Sequence, residues 1–159
     1  MKEQIAFEKT AGTAAVAHTL KLMDRTQRHA VLATVSGGQP YTSLVAFAMT
    51  PDMKNAVFAT PRDTAKYKNI LRNKRVALLI DTRANTDAAY MKSEAVTIVG
   101  SATPVRRGRR REEFASLLIR KHPALRGFVG ARTTSIVLVE AAACFHTGSF
   151  QKVSEWRVR

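Results

Sequence analysis

The chain of 159 residues holds one cysteine, Cys144, which rules out an intramolecular disulfide and any thiolate metal cluster. Aromatic residues are scarce at 7%, and none lies in the stretch from Thr103 to Glu113, where basic residues crowd most densely. A nucleic-acid module normally supplies aromatics for base stacking or a reading helix, so its absence argues against nucleic acid as the partner. Long apolar runs are missing too: "AVLATV", "RVALLI" and "SIVLVEAAACF" are far too short to span a bilayer. Lys2, Glu3, Glu8 and Lys9 interrupt any signal-like stretch near the start, so no targeting segment is expected and the protein is expected in the cytoplasm. Negative charge is in short supply. With 26 Lys plus Arg against 12 Asp plus Glu, the net charge is +14, which predicts attraction to anions.

Apolar residues at 45% and charged residues at 24% are ordinary for a globular protein. No repeat or low-complexity tract divides the chain, so residues 1–159 are read as a single domain. Gly12 to Arg25 predicts a helix, with Ala15, Val16, Leu20, Leu22 and Met23 as a loose apolar face. "HAVLATVS" and "YTSLVAFAM" predict a hairpin about the turn "GGQP", because two glycines permit positive φ and Pro40 fixes the restart. "AVFAT" is a third strand, Asp63 to Asn73 a short helix with Tyr67, Ile70 and Leu71 as its buried stripe, and "RVALLID" a strand buried on both faces. After the loop "TRANTDAAYMKSE", "AVTIVGSATPV" predicts a long strand with a bend or bulge at Gly100. Glu112 to Lys121 predicts an amphipathic helix on Phe114, Leu117 and Leu118, stopped by His122-Pro123. "TSIVLVEAAACFHTG" and "FQKVSEWRV" predict a closing hairpin. Seven strands, mostly antiparallel neighbours, and three helices fit an α+β barrel with helices packed outside it.

Two stretches bear on chemistry. "RRGRRR", Arg106 to Arg111, reads first as a solvated loop and helix start, and second as an anion-attracting patch. "FATPRDTAKYKNI", Phe58 to Ile70, takes a strand through a polar turn into a helix. Asp63 or Thr64 serves there as an ordinary cap, or else the unpaired N–H groups, Thr60, Thr64 and Lys66 form an anion site. Spacing alone favours the cap. His18, His29, His122 and His146 show no metal-ligand spacing, and His122 at a helix end suits a cationic ring facing the helix dipole. No Ser/His/Asp set or paired carboxylates appear.

Taken together, "VLATVSGGQPYTSLVAFAMT", "AVFATPRDTAKYKNILRNKRVALLID" and "AVTIVGSATPV" resemble the FMN-binding split barrel of the pyridoxamine 5'-phosphate oxidase-like superfamily. The resemblance covers roughly residues 20–105 and rests most on "T…T-x-K-x-x-N-I" followed by "R-V-A-L-L-I". It implies a six- to seven-stranded split β-barrel, a homodimer with FMN at the subunit interface, and an oxidoreductase acting on a small molecule. Thr60, Thr64 and Lys66 are implied to hold the phosphate and ribityl chain, and Ser43, Leu44 and Val45 to flank the isoalloxazine. Ala65 stands where the family's oxidases carry an arginine, leaving Arg62 or Lys68 as the substitute. Trp156 either covers the flavin from the partner subunit or fills the core. The C-terminal "TGSFQKVSEWRVR" lacks the substrate-binding pattern of the true oxidase, so pyridoxamine phosphate is not the expected substrate. Relatives that use haem or a deazaflavin supply the alternatives, as does a non-catalytic binding module.

Overall fold

The hairpin glycines set the first register. Gly37 and Gly38 both take positive φ, 54° and 80°, as a two-residue type I′ turn requires. Strand β1 (His29–Ser36) therefore pairs antiparallel with β2 (Gln39–Met49), from Ser36 opposite Gln39 to His29 opposite Ala46. β2 starts two residues earlier than the sequence predicts and includes Pro40. That is tolerated because β3 (Asn55–Pro61) pairs only with Phe47 to Met49, leaving Pro40 without a ladder bond to lose on its free side.

The computed structural model describes residues 12–148 and 152–159. Phe150 and Gln151, the expected opening of the last strand, lie outside them, as do residues 2–9, which bear on a targeting segment. Strands β4 (Arg75–Asp81), β5 (Ala95–Val105) and β6 (Thr134–Gly148) follow, and the order β3-β2-β1-β4-β5-β6 closes on itself through β3–β6 pairing. β7 (Lys152–Arg157) adds to the outside of β6. Helices α1 (Thr13–Thr26), α2 (Ala65–Arg72), α3 (Arg109–Lys121) and α4 (Arg126–Gly130) lie around this six-stranded antiparallel barrel. The protein is an α+β split barrel with one extra strand. None of its described helices is long and apolar enough to cross a membrane.

Register aligns the interior. Leu32, Leu78, Ile98, Cys144 and Trp156 face one another in a single row across β1, β4, β5, β6 and β7, and all are buried. β4 departs from expectation: Val76, Leu78 and Ile80 are buried, but Ala77 and Leu79 on the other face are only half-buried. No described helix covers that outer face, so the run is apolar without being two-sided. The opposite side of the barrel does have a second layer. Phe114, Ala115 and Leu118 of α3 and Val129 of α4 pack on the outward residues Ala48, Val57, Ile136 and Leu138.

α3 begins three residues before the expected start, with Gly108 as its cap at φ 88°, so half of the arginine run is helical. α4 is the helix the periodicity passed over; its signal, Leu125, Phe128 and Val129 at i, i+3, i+4, is only five residues long. Gly100 sits at the expected bulge, where the β5–β6 register slips. A Cβ there would collide with the carbonyl oxygen of Glu140 on the adjoining backbone, which cannot swing aside. Gly100→Ala is therefore expected to cost about 2–3 kcal/mol or more in urea unfolding; a loss under about 0.5 kcal/mol would contradict the close approach.

Candidate functional site

The strand–helix junction folds around two hydroxyls. Thr64, extended at φ −74° and ψ 152°, caps α2 by accepting from the Tyr67 N–H at 3.4 Å. Its Oγ1 lies 2.9 Å from the Pro61 carbonyl oxygen, and Thr60 Oγ1 lies 2.9 Å from Thr64 Oγ1. Thr60 Oγ1 also lies 3.3 Å from the Pro61 carbonyl, so either hydroxyl can be the donor of that pair while the other donates to Pro61. Both hydroxyl protons are thus committed within the turn. Among the groups the junction leaves unpaired among the described residues are the Lys66 ammonium and the N–H groups of Ala65 and Lys66 in the first helical turn, and beside them the exposed Asp63, whose carboxylate caps nothing.

The buried face of α2 is Tyr67, Asn69 and Ile70, not the expected Tyr67, Ile70 and Leu71; Leu71 is exposed. Asn69 goes inside because it finds a partner, donating from Nδ2 to the Thr34 hydroxyl of β1 at 3.0 Å. That bond fixes the helix on the barrel and leaves Lys66 directed away from the core.

Lys66 borders a groove of about 210 Å³ shared with Leu44, Val45, Thr60, Leu118 and Phe128. Strands β2 and β3 form one wall, and the α3–α4 unit forms the other. Four of the eight residues singled out from the sequence, Leu44, Val45, Thr60 and Lys66, therefore meet in one place. The other four do not line it. Ser43 faces the barrel interior opposite Leu32, and its buried hydroxyl has no partner among the described residues. Arg62 donates to the backbone carbonyl of Arg132 and turns toward a different cavity. Thr64 shapes the turn from behind Thr60. Trp156, 6% exposed, packs in the core opposite Cys144, which uses most of its surface. Leu118 stands on the apolar face expected for α3, but the rest of that groove wall, Leu125, Phe128 and Val129, was missed in the sequence because the short α4 was.

Two contacts hold that wall. The ring of His122 is buried, and its Nε2 lies 2.8 Å from the Phe47 carbonyl. A carbonyl only accepts, so Nε2 carries the proton. Lys121 Nζ reaches Asp24 Oδ1 at 2.9 Å and stands 3.6 Å from the centre of the Phe47 ring. Asp24 also accepts from the Met49 N–H at 2.9 Å. Burial lowers the Lys121 pKa, with Asp24 opposing the shift. His122 was expected to be a cationic ring at a helix end. Burial instead holds its pKa below 6.5, the Phe47 bond opposes that, and Lys121, Arg28 and His29 add to it.

No metal centre is indicated: among the described residues, no three His, Cys, Asp or Glu side chains converge. Cys144 is fully buried, and burial pushes its thiol up to about 11, so it is no nucleophile. His146 on β6 is half-buried, 3.5 Å from Glu94.

The sequence profile of the pyridoxamine 5'-phosphate oxidase family matches residues 17–144, and the chain belongs to that family. No curated protein matches the sequence. Solved structures share the fold at low identity. A heme binding protein from Mycobacterium smegmatis superposes with a TM-score of 0.80 at 14% identity, covering 90% of this chain and 58% of that one. ChuZ from Campylobacter jejuni gives 0.78 at 13%, covering 94% and 62%. HutZ, the heme storage protein from Vibrio cholerae, gives 0.68 at 13%, covering 78% and 88%. The chain thus spans about three-fifths of the first two proteins.

The His122 environment has a pH consequence. Its folded pKa is depressed, so between that value and 6.5 the unfolded chain binds the extra proton. Stability from this residue is complete above pH 6.5 and falls as pH drops through the folded value. Urea midpoints are expected to decline from pH 7.5 to pH 5, with a shallower decline in His122→Gln. Equal slopes for the two proteins would show that His122 does not drive the loss.

Proposed function

We propose that this chain is an FMN-binding flavoprotein, an oxidoreductase acting on a small molecule, working in the cytoplasm as a homodimer with the flavin at the subunit interface. The observation that carries the reading is the Lys66 groove, an apolar slot bordered by a cation that stands in the first turn of α2, where backbone amides are unpaired. Such a slot suits a planar, largely apolar ring system bearing an anionic tail. The Lys66 ammonium and the N–H groups of Ala65 and Lys66 would meet the phosphate. Thr60 and Thr64 would act one step back, holding the turn, since their protons are already engaged. Ala65 explains why amides matter here: no arginine side chain stands at that helical position to do the work. The bound flavin supplies the electron transfer, and the protein supplies orientation and shielding from water.

The dimer has its own support. Leu44, Val31 and Leu79 stand side by side on the outer face of β2, β1 and β4, and Leu44 is 62% exposed. The groove's volume of about 210 Å³ is below the roughly 300–1,000 Å³ usual for cofactor sites. A second copy laid over the Leu44 face would both cover the apolar row and deepen the slot.

Haem is the second reading, favoured by two structural neighbours, the heme binding protein from Mycobacterium smegmatis and HutZ. It asks for an axial ligand. Among the described residues, the groove lining holds no histidine, cysteine, methionine or tyrosine, His122 is tied to Phe47, and His146 lies on another strand beside Glu94. A flavin needs no such bond, so the slot favours flavin. A deazaflavin would use the same slot.

The absorbance spectrum of the purified protein separates these readings. Flavin bands that bleach with a nicotinamide donor support the oxidoreductase, flavin bands without turnover support a carrier or sensor, and a Soret band would overturn the flavin assignment. Lys66→Ala is expected to weaken FMN binding by ~1.5–3 kcal/mol in a fluorescence titration, and an unchanged Kd would remove Lys66 from the site. Leu44→Asp is expected to convert a dimer into a monomer by light scattering at micromolar protein; a wild-type monomer would sink the shared site.

A further inference from the structure

At the end of the barrel where β3, β5 and β6 meet, a cavity of about 560 Å³ is lined by Arg62, Arg106, Arg107, Arg111, Arg132 and Tyr67. Arg111 pairs with Glu112 at 3.2 Å. The other four guanidinium groups have no carboxylate within ion-pair distance among the described residues. Arg62 is held in place by its bond to the Arg132 carbonyl. Tyr67 is 5% exposed, and its phenol has no hydrogen-bond partner among the described residues, although it borders this polar space. The hydroxyl residues Thr134 and Ser135, both buried, also belong to the lining.

Gathering like charges around one concavity is unfavourable unless an anion offsets them. Guanidinium groups present planar pairs of N–H donors that match phosphate oxygens. A single phosphate would neutralise about two of the four free charges and fill a small part of the space, whereas a chain of two or three phosphates would match both. We propose that this cavity binds a small polyanion of the di- or triphosphate class, at a site separate from the Lys66 groove. The proposal goes beyond the flavin reading and does not rest on it. A nucleic-acid backbone fits less well, because the charges line a concavity instead of a track and the one aromatic is nearly buried.

The test is titration calorimetry of the full chain with inorganic triphosphate. Saturable binding of one triphosphate per chain is expected. Arg106→Gln/Arg107→Gln, on an exposed turn, should raise the Kd about tenfold or more. The exposed pair Lys21→Gln/Lys92→Gln removes the same charge away from the cavity lining and should change Kd less than about twofold. Lys66→Ala should leave triphosphate binding intact while weakening FMN. Equal losses in the two double variants would reduce the effect to net charge and overturn the site. Displacement of triphosphate by FMN would merge it with the flavin corner, and a single-stranded oligonucleotide that outcompetes triphosphate would assign the patch to nucleic acid. Either of those two results also overturns the proposal.

Discussion

Closure of the sheet by β3 and β6 is the pairing on which the rest depends. The two strands run together from Asn55 opposite Glu140 to Pro61 opposite Thr134, and the Arg62 N–H extends the ladder to the Thr133 carbonyl at 3.1 Å. A closed barrel has no exposed edges among its six strands, so backbone groups that would otherwise need water are satisfied by neighbours. The same pairing fixes where β3 must stop. Because Pro61 cannot donate and Thr134, across from it, is the first residue of β6, the chain turns there into the Thr60–Thr64 corner. The groove lies on one side of this seam and the arginine cavity on the other, with Arg62 bonded across it.

The second layer depends on polar contacts that would be costly if unmatched. Lys121 is mostly out of water, yet it keeps a carboxylate and an aromatic face, and Asp24 answers both the ammonium and a backbone amide. Removing one member would strand another, at more cost than the bond itself is worth. These bonds tie α1, α3 and β2 at one point and so set the distance between Leu118 and the β2–β3 wall. The width of the groove is therefore decided by residues that do not line it.

Much of the fold was legible because hydrophobic period and turn chemistry agree. "SGGQP" specified its hairpin through two positive-φ glycines, and Gly100 marked the bulge. Failures came where a tertiary partner overrode the pattern. Asn69 reads as polar surface until Thr34 is brought beside it, and His122 reads as a helix-end cation until Phe47 buries it. α4 is shorter than any window in which a 3.6-residue period stands out. At the site, alternation along β2 separates the three residues: Leu44 points outward, while Ser43 and Val45 point in. The family resemblance gathered these three by sequence position, and the pleat divides them.

The two anion-attracting regions illustrate how one excess of charge serves different chemistry. In the groove, a lone ammonium at the rim of apolar walls works in a partly desolvated setting, where each interaction is strong and an unmatched charge is costly. On the proposed flavin reading, one lysine and two amides would meet the phosphate there, and more cations would hinder an apolar ring from settling. In the cavity, the walls are polar and the guanidinium groups stay hydrated, so single contacts are weak and number must compensate. That difference accounts for Ala65 beside the groove and for Arg106, Arg107 and Arg111 of "RRGRRR" around the cavity. A net charge of +14 is thus not spread evenly as a solvating coat. Five of its arginines gather at one end of the barrel seam, and its single groove lysine stands in the first turn of α2, where backbone amides are unpaired.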